Sequence, residues 1–275
     1  MIAIDMDGTL LNPHSEVTPR ARAAVQALVA AGWIVCFATG RTWPESESVL
    51  DDVGHLDAAV FIGGAMVVDT ANRQVLHRTI MRPELAADVC RYLESHGHPA
   101  FALQDRAHSD VDYLISGNIP MAPEAQLWMQ VAGATTRPVA DLGAYLHDDT
   151  IRVSTAGTPP VMTRLLADIN GAFGARIQSH TVGLHALATD VMEVFDPAVD
   201  KWQGILKVAA ARGVRPDQII AVGDNMNDLS MIRGAALGVA MGNAKPAVKA
   251  AAARVIGPNT EDGIALFLEE LAAAK

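Results

Sequence analysis

An α/β fold built on an open parallel sheet, with a second α+β region inserted into it, is what this sequence predicts. Three observations lead there. Short apolar runs rich in branched residues, as expected for strands buried on both faces, end at Asp5, Thr39, Gly63 and Gly223-Asp224. Helix-spaced apolar residues follow the first of these runs, as the crossover connections of a parallel sheet require. From about Arg82 to Asp190 the rhythm changes to helices and strands in a different order.

The first strand is expected over residues 1–4, ending at the acids. Thr18-Pro19 then supplies an N-cap and a first-turn proline, and Ala21, Ala24, Val25, Leu28 and Val29 fall at helical spacing before Gly32 closes the helix. Strands are expected over 34–39, ending in Thr39-Gly40-Arg41, and over 58–62, ending in Gly63-Gly64. The middle region reads as a helix (83–96), strands (100–103 and 112–115), a helix (124–131), a strand (151–154), a helix (160–172) and two closing strands. The first rhythm then returns, with strands over 219–222 and 237–241, a short helix between them and a final helix over about 260–273. The expected organisation is a core of residues 1–81 and 191–275 with an inserted domain of 82–190, and no internal repeat is visible. In such a sheet ligands sit beyond the carboxyl ends of the strands.

Composition narrows the classes of partner. Of 275 residues half are hydrophobic and 19% are charged, which suits a compact globular chain. Lys and Arg number 21 against 31 Asp and Glu, and the net charge of -10 argues against nucleic acid or anionic lipid as a partner. Small anions remain open, because one metal ion or lysine inverts the field within a cleft. Cys36 and Cys90 lie in apolar runs and read as buried thiols of a reducing compartment. The opening MIAIDMDG has no basic n-region, and no apolar stretch nears the roughly 18 residues of a membrane span, so a cytoplasmic protein is expected.

The chemistry is concentrated in DMDGTLL, residues 5–11. Residues two apart in an extended chain project to one side and stand roughly 7 Å apart, enough to hold a phosphoryl group between them. Asp5 then serves as a carboxylate nucleophile and Asp7 as a proton donor, while Gly8 and Thr9 turn the chain so that N–H groups face the anion. Taken alone, the same residues also suit an acidic turn. In VGDNMNDL, Asp224 and Asp228 face one point if a helix starts between them. Carboxylates gathered there with Asp5 need a cation, and Mg2+ is the natural occupant; an Asn/Asp-rich turn with a helix cap is the other reading. Thr39 and Gly40 offer a hydroxyl and an N–H to a phosphate oxygen. Lys201 falls in the first turn of a helix, where the macrodipole disfavours a cation unless a partner offsets it. That partner is a phosphate with its carboxylates, or else Lys201 is a solvated neighbour of Asp196 and Asp200. Arg41 either touches substrate or pairs with an acid, and Asn243 sits in a turn that ends a core strand. His96-Gly97-His98 reads as a solvated turn, His180 and His185 flank a turn of the inserted region, and Trp128 and Trp202 read as packing residues.

With these segments in order, the chain resembles the haloacid dehalogenase (HAD) superfamily, specifically its Cof-type phosphatases with a type IIB cap inserted after the third core strand. DMDGTLL, ATGR, the lysine of DPAVDKWQG, GDNMND, VAMGNA and NTEDG match that pattern in order and cover nearly the whole chain. The resemblance implies a Rossmann-like, HAD-like core with an α+β cap that closes the site and selects the leaving group. It implies Asp5 as the nucleophile that becomes an aspartyl phosphate, and Asp7 as general acid/base. A Mg2+ cofactor would be held by Asp5, Asp7 through its backbone carbonyl, Asp224 and Asp228. Thr39 and Lys201 would bind the phosphoryl oxygens and Asn227 would support Asp224, with Gly8, Gly40, Arg41 and Asn227 as further candidates for binding substrate or phosphate. Dehalogenases attack carbon and need neither the second acid nor Mg2+, so Asp7 and the Asp224 cluster favour a phosphatase acting on a small phosphorylated metabolite, with sugar phosphates the default. Phosphomutase activity on sugar phosphates is the alternative within the fold, and a non-catalytic phosphometabolite-binding protein the alternative outside enzymes. Two positions depart from the pattern: Gly63 stands where the family commonly has Asn, and Trp202 follows the lysine where Gly is usual. Both are expected to alter the walls near the entrance.

Overall fold

The computed structural model describes residues 1–184 and 188–274, so His185 lies outside the described residues. The chain separates into two compact units, Met1–Arg78 with Val199–Lys275, and Thr79–Ala198.

In the first unit β1 (Ile2–Ile4) is wholly buried and leads to α1 (Pro19–Ala30). The Thr18 hydroxyl caps α1, accepting from the Ala21 N–H at 3.1 Å and donating to the Asp262 carboxylate at 2.5 Å. Ala21, Ala24, Val25 and Leu28 form the buried face of this helix. β2 (Val35–Phe37) pairs in parallel with β1, and α2 (Trp43–Val53) starts in a capping box of Thr42 and Glu45. β3 (Ala58–Phe61) keeps the expected parallel direction beside the segment that follows β2, through the bridge of Ala38 with Val60 and the Thr39 N–H donating to the Val60 carbonyl at 2.9 Å, but its ladder is formed elsewhere. Along its length it pairs antiparallel with β4 (Met66–Asp69), which pairs with β5 (Gln74–Arg78). The turn at Ile62–Gly64, where three successive residues hold positive φ of 51°, 62° and 109°, reverses the chain. Strand β5 escaped sequence reading because its residues are mostly exposed and do not alternate.

The second unit contains α3 (Pro83–Ser95), β6 (Phe101–Gln104), β7 (Tyr113–Ser116), α4 (Pro123–Ala132), β8 (Thr136–Val139), β9 (Thr150–Gly157), α5 (Pro159–Phe173), β10 (Gln178–Leu184) and β11 (Thr189–Phe195). Its strands form one sheet in the order β10-β11-β9-β6-β7-β8. Leu85, Val89 and Leu93 of α3 and Met162, Leu165 and Ile169 of α5 pack with Ala102, Leu114, Val153 and Met192 of the sheet. Trp128 packs edge-on against Phe101 and Tyr113, at 5.5 and 5.8 Å. His96 bonds back to the Tyr92 carbonyl at 2.7 Å and stacks on the Tyr92 ring. His180 stacks on Phe195 and lies 3.1 Å from Glu193. β8 was unexpected because Pro138 argues against a strand; an edge position tolerates it. The expected boundary at 190 falls inside β11, which pairs through Asp190–Val194 with β9 and along its length with β10. The apolar composition of β11 suits a strand of either sheet, and only its pairing assigns it.

The chain returns through α6 (Lys201–Ala211), β12 (Ile220–Gly223), α7 (Leu229–Gly234), β13 (Leu237–Ala240), α8 (Pro246–Ala251), β14 (Arg254–Val255) and α9 (Gly263–Ala273). The five-stranded parallel sheet has the order β14-β13-β12-β1-β2, with Ile4 opposite both Val222 and Phe37. α9 begins later than expected because Asn259–Glu261 forms a separate turn and Asp262 is left-handed. Among the described residues, no helix is long and apolar enough to cross a membrane.

Thr18 joins the start of α1 to the start of α9 through one hydroxyl. Thr18→Ala is expected to lower the stability of the fold by about 1–2 kcal/mol, read as a lower urea midpoint with an unchanged m-value.

Candidate active site

Asp5 follows β1, Thr39 lies two residues beyond β2, and Asp224 follows β12, so strand register alone brings three chain ends to one edge of the sheet. Asp5 is 4% exposed and Lys201 1%. The Lys201 ammonium donates to Asp5 Oδ1 at 2.5 Å and to Asp228 Oδ1 at 2.6 Å. Asp228 Oδ2 accepts from the backbone N–H groups of Asp224 and Asn225, both at 2.9 Å. The GDNMND turn thus folds back on its own last carboxylate.

Two backbone devices place the lysine. Asp200 caps α6 by accepting from the Gln203 N–H at 2.9 Å, which starts the helix at Lys201. Gly64 admits the Asp200 carbonyl, since a Cβ on Gly64 would stand 1.9 Å from that oxygen. The same turn holds the Thr39 segment: the Ile62 N–H donates to the Arg41 carbonyl at 2.9 Å and the Gly63 N–H to the Thr39 carbonyl at 3.0 Å. One strained turn therefore sets both Thr39 and Lys201.

Asp5, Asp224 and Asp228 each offer a carboxylate oxygen to a group whose atoms lie within 4.8 Å of one another. Burial and the charge of Asp228 hold the Asp5 carboxyl well above the usual carboxylate range, with Lys201 opposing. Burial and Asp228 push Asp224 up to about 7. Burial works against the Lys201 charge, but Asp228 and Asp5 outweigh it and its pKa is raised. One ammonium bonds two of the three carboxylates, and Asp224 Oδ1 is buried without a hydrogen-bond partner. That unmatched oxygen, in an all-oxygen donor set, fits a small hard dication. Gly8 belongs to the fit: it is left-handed at φ 78°, and a Cβ there would lie 2.3 Å from Asp224 Oδ2.

Other residues fall into place around this centre. The Asp7 side chain stands apart from the carboxylate group and is gripped by Arg41, whose Nε and Nη2 donate to its two oxygens at 2.9 and 2.5 Å. Arg41 is thus the partner of an acid. Thr39 is fully buried and its hydroxyl accepts from the Arg41 N–H at 3.1 Å. Asn227 Nδ2 stands 3.9 Å from where a Cβ on Gly40 would lie, which brings the GDNMND turn beside the Thr39 segment. Trp202 departs from the expected place at an entrance wall: it packs with the core of the first unit, against Gly234, where a Cβ would lie 2.4 Å from the indole. The sequence places Asn243 only at the end of a core strand and does not mark Lys245, whose N–H donates to the Asp224 carbonyl at 2.9 Å. The available signal was position, since both follow the end of β13.

A family model described as haloacid dehalogenase-like hydrolase matches residues 2–268. The chain is 27% identical over 289 residues to a 5-amino-6-(5-phospho-D-ribitylamino)uracil phosphatase of Bacillus subtilis, covering 98% of this chain and 97% of that protein. It is also 27% identical over 277 residues to a chloroplastic endoribonuclease of Arabidopsis thaliana, covering 96% of this chain but 45% of that protein. The chain thus spans less than half the length of the second relative. Among solved structures, a haloacid dehalogenase-like hydrolase from B. subtilis superposes with a TM-score of 0.80 at 21% identity, covering 98% of this chain and 99% of that one.

The raised Asp224 pKa sets a sign. In metal-free protein the folded state holds this proton up to about pH 7, whereas the unfolded chain releases it near 3.8, so stability from this group falls as pH rises between the two. Buried His55 and His147 have lowered pKa values and act in the opposite direction, so the contrast is drawn against Asp224→Asn, which cancels them. In EDTA, urea unfolding is expected to show the variant gaining on the wild type from pH 4 to pH 7.

Proposed function

We propose that this chain, which belongs to the haloacid dehalogenase-like hydrolase family, is a phosphatase that hydrolyses small phosphate monoesters through a phosphorylated Asp5. The observation that supports this most directly is a buried carboxylate at a strand end, held by a buried lysine and grouped with two further carboxylates. The residues that would hold Mg2+ are Asp5, Asp224 and the backbone carbonyl of Asp7, with Asp228 supporting them. When bound, the ion would supply positive charge that keeps the carboxylates ionised and draws in the phosphoryl oxygens.

Lys201 occupies Asp5 Oδ1, so Oδ2 is the oxygen that attacks. A bond forms from Asp5 to phosphorus as the ester P–O bond breaks, and Asp7 gives its proton to the departing oxygen. Water then attacks the same phosphorus with Asp7 as the base, releasing phosphate and regenerating the Asp5 carboxylate. Thr39 and Lys201 bind the phosphoryl oxygens, joined by Asn227 and the backbone around Gly8 and Gly40. The Arg41 fork holds both oxygens of Asp7 and fixes the direction in which its remaining lone pairs face. The substrate class is a small metabolite with a phosphorylated hydroxyl, sugar phosphates first, with residues 79–198 as the substrate-selecting domain. A relative acting on a phosphoribityl compound agrees with that class.

Purified protein with Mg2+ and a panel of sugar phosphates is expected to release inorganic phosphate. Recovery of an isomeric sugar phosphate instead would make it a mutase. Asp5→Asn is expected to lower turnover by at least about a thousandfold with the circular dichroism spectrum unchanged, since an amide cannot form the acyl phosphate. Asp7→Asn is expected to lose much less with p-nitrophenyl phosphate than with a sugar phosphate, because p-nitrophenolate leaves with little protonation. Equal losses on both substrates would remove Asp7 from the acid role.

A further inference from the structure

Asn243 lies in the loop after β13, outside the residues assigned to chemistry above. Its Nδ2 donates to the Gly8 carbonyl at 2.8 Å and to Asp224 Oδ2 at 3.3 Å. Its Oδ1 accepts from the Asn259 N–H at 2.9 Å. The amide orientation is therefore determined from both ends: a carbonyl and a carboxylate require a donor on one side, and an N–H requires an acceptor on the other. Asn259 continues the chain of contacts, donating its own side-chain amide to the Leu11 carbonyl at 2.8 Å. Two asparagines thus hold the Met6–Leu10 turn from outside, one at Gly8 and one just beyond the turn at Leu11.

We propose that Asn243 is a positioning residue for the metal site, turning the Asp224 carboxylate so that Oδ2 is spent on the amide and Oδ1 faces the cation. The proposal rests on the reading of Asp5, Asp224 and Asp228 as the magnesium-binding group. Asp224 Oδ1 is the buried oxygen without a hydrogen-bond partner, and Oδ2 is the one that Asn243 reaches. Gly8 lies against the same carboxylate, so a single amide keeps Asp224 in register with the turn that carries Asp7. Hydrogen-bonding partners of metal ligands typically contribute ten- to a hundredfold in metal affinity. Asn243 is exposed, and solvent can replace part of its contribution, which places the effect near the lower figure.

The test is isothermal titration of Mg2+ into wild type, Asn243→Ala, Asn243→Ser and Asn259→Ala. Both substitutions at Asn243 are expected to weaken Mg2+ roughly tenfold. Asn259→Ala keeps the backbone N–H that orients Asn243 but loses the bond to Leu11, so it is expected to reduce thermal stability while leaving Mg2+ affinity within about twofold. The serine variant keeps a polar side chain in the turn and serves if the alanine variant fails to fold. Wild-type affinity in either Asn243 variant would overturn the proposal while leaving the metal site standing. Equal weakening in Asn259→Ala would also overturn it, since the effect would then be a general loosening of the turn. A wild-type protein that takes up no Mg2+ while still hydrolysing phosphate esters would remove the metal reading and this proposal with it, but not the phosphatase activity.

Discussion

A buried ammonium held between two buried carboxylates is the constraint on which this molecule depends. Lys201 reaches Asp5 on one side and Asp228 on the other, and neither side of that arrangement is tolerable alone. A lysine at 1% exposure without anions would lose its proton or unfold its surroundings, and the carboxylates without the lysine would repel one another in a medium that screens poorly. The Asp200 cap, the glycine at 64 and the folded-back GDNMND turn all serve to bring those three groups together.

The charge balance at this point is incomplete: three carboxyl groups stand against one lysine, and the raised pKa values of Asp5 and Asp224 express the cost of ionising them all without a further cation. A dianionic ester cannot approach such a group unless further positive charge is present, which makes cation uptake and substrate uptake parts of one electrostatic problem. The overall charge of -10 does not decide the matter, because fields at a buried cluster are set by groups within a few ångströms rather than by the distant surface. Arg41 forms a second, separate pair with Asp7, so the two acids of the opening motif sit in different electrostatic surroundings although only one residue separates them.

How much was legible before the coordinates depended on whether the signal was local. The strands leading to Asp5 and Asp224 showed as short apolar runs, and the helix after Thr18 showed through its cap, its proline and its spacing. Strand β5 does not show in the sequence, because an exposed strand has no apolar pattern to reveal. β8 was hidden by its proline, and the end of the inserted unit was misplaced because β11 reads the same whichever sheet accepts it. In the site, Asp5, Asp7 and Asp224 are marked by their spacing from strand ends and Asn243 by its place after a core strand, whereas the partners of Asn243 and Asn259 are not legible, since those contacts span more than two hundred residues.

By itself the sequence determined the parallel core, the approximate place of the insertion and the acidic residues offered to one edge of the sheet, because strand runs, caps and spacing are properties of neighbouring residues. Only the tertiary structure decided that Arg41 pairs with Asp7, that Trp202 packs inward on Gly234, and that Asp224 has one oxygen engaged and one without a partner. Those outcomes depend on which segments approach through space, and the strained turn at Ile62–Gly64 that brings the Thr39 segment and Lys201 together leaves no trace in the residues it joins.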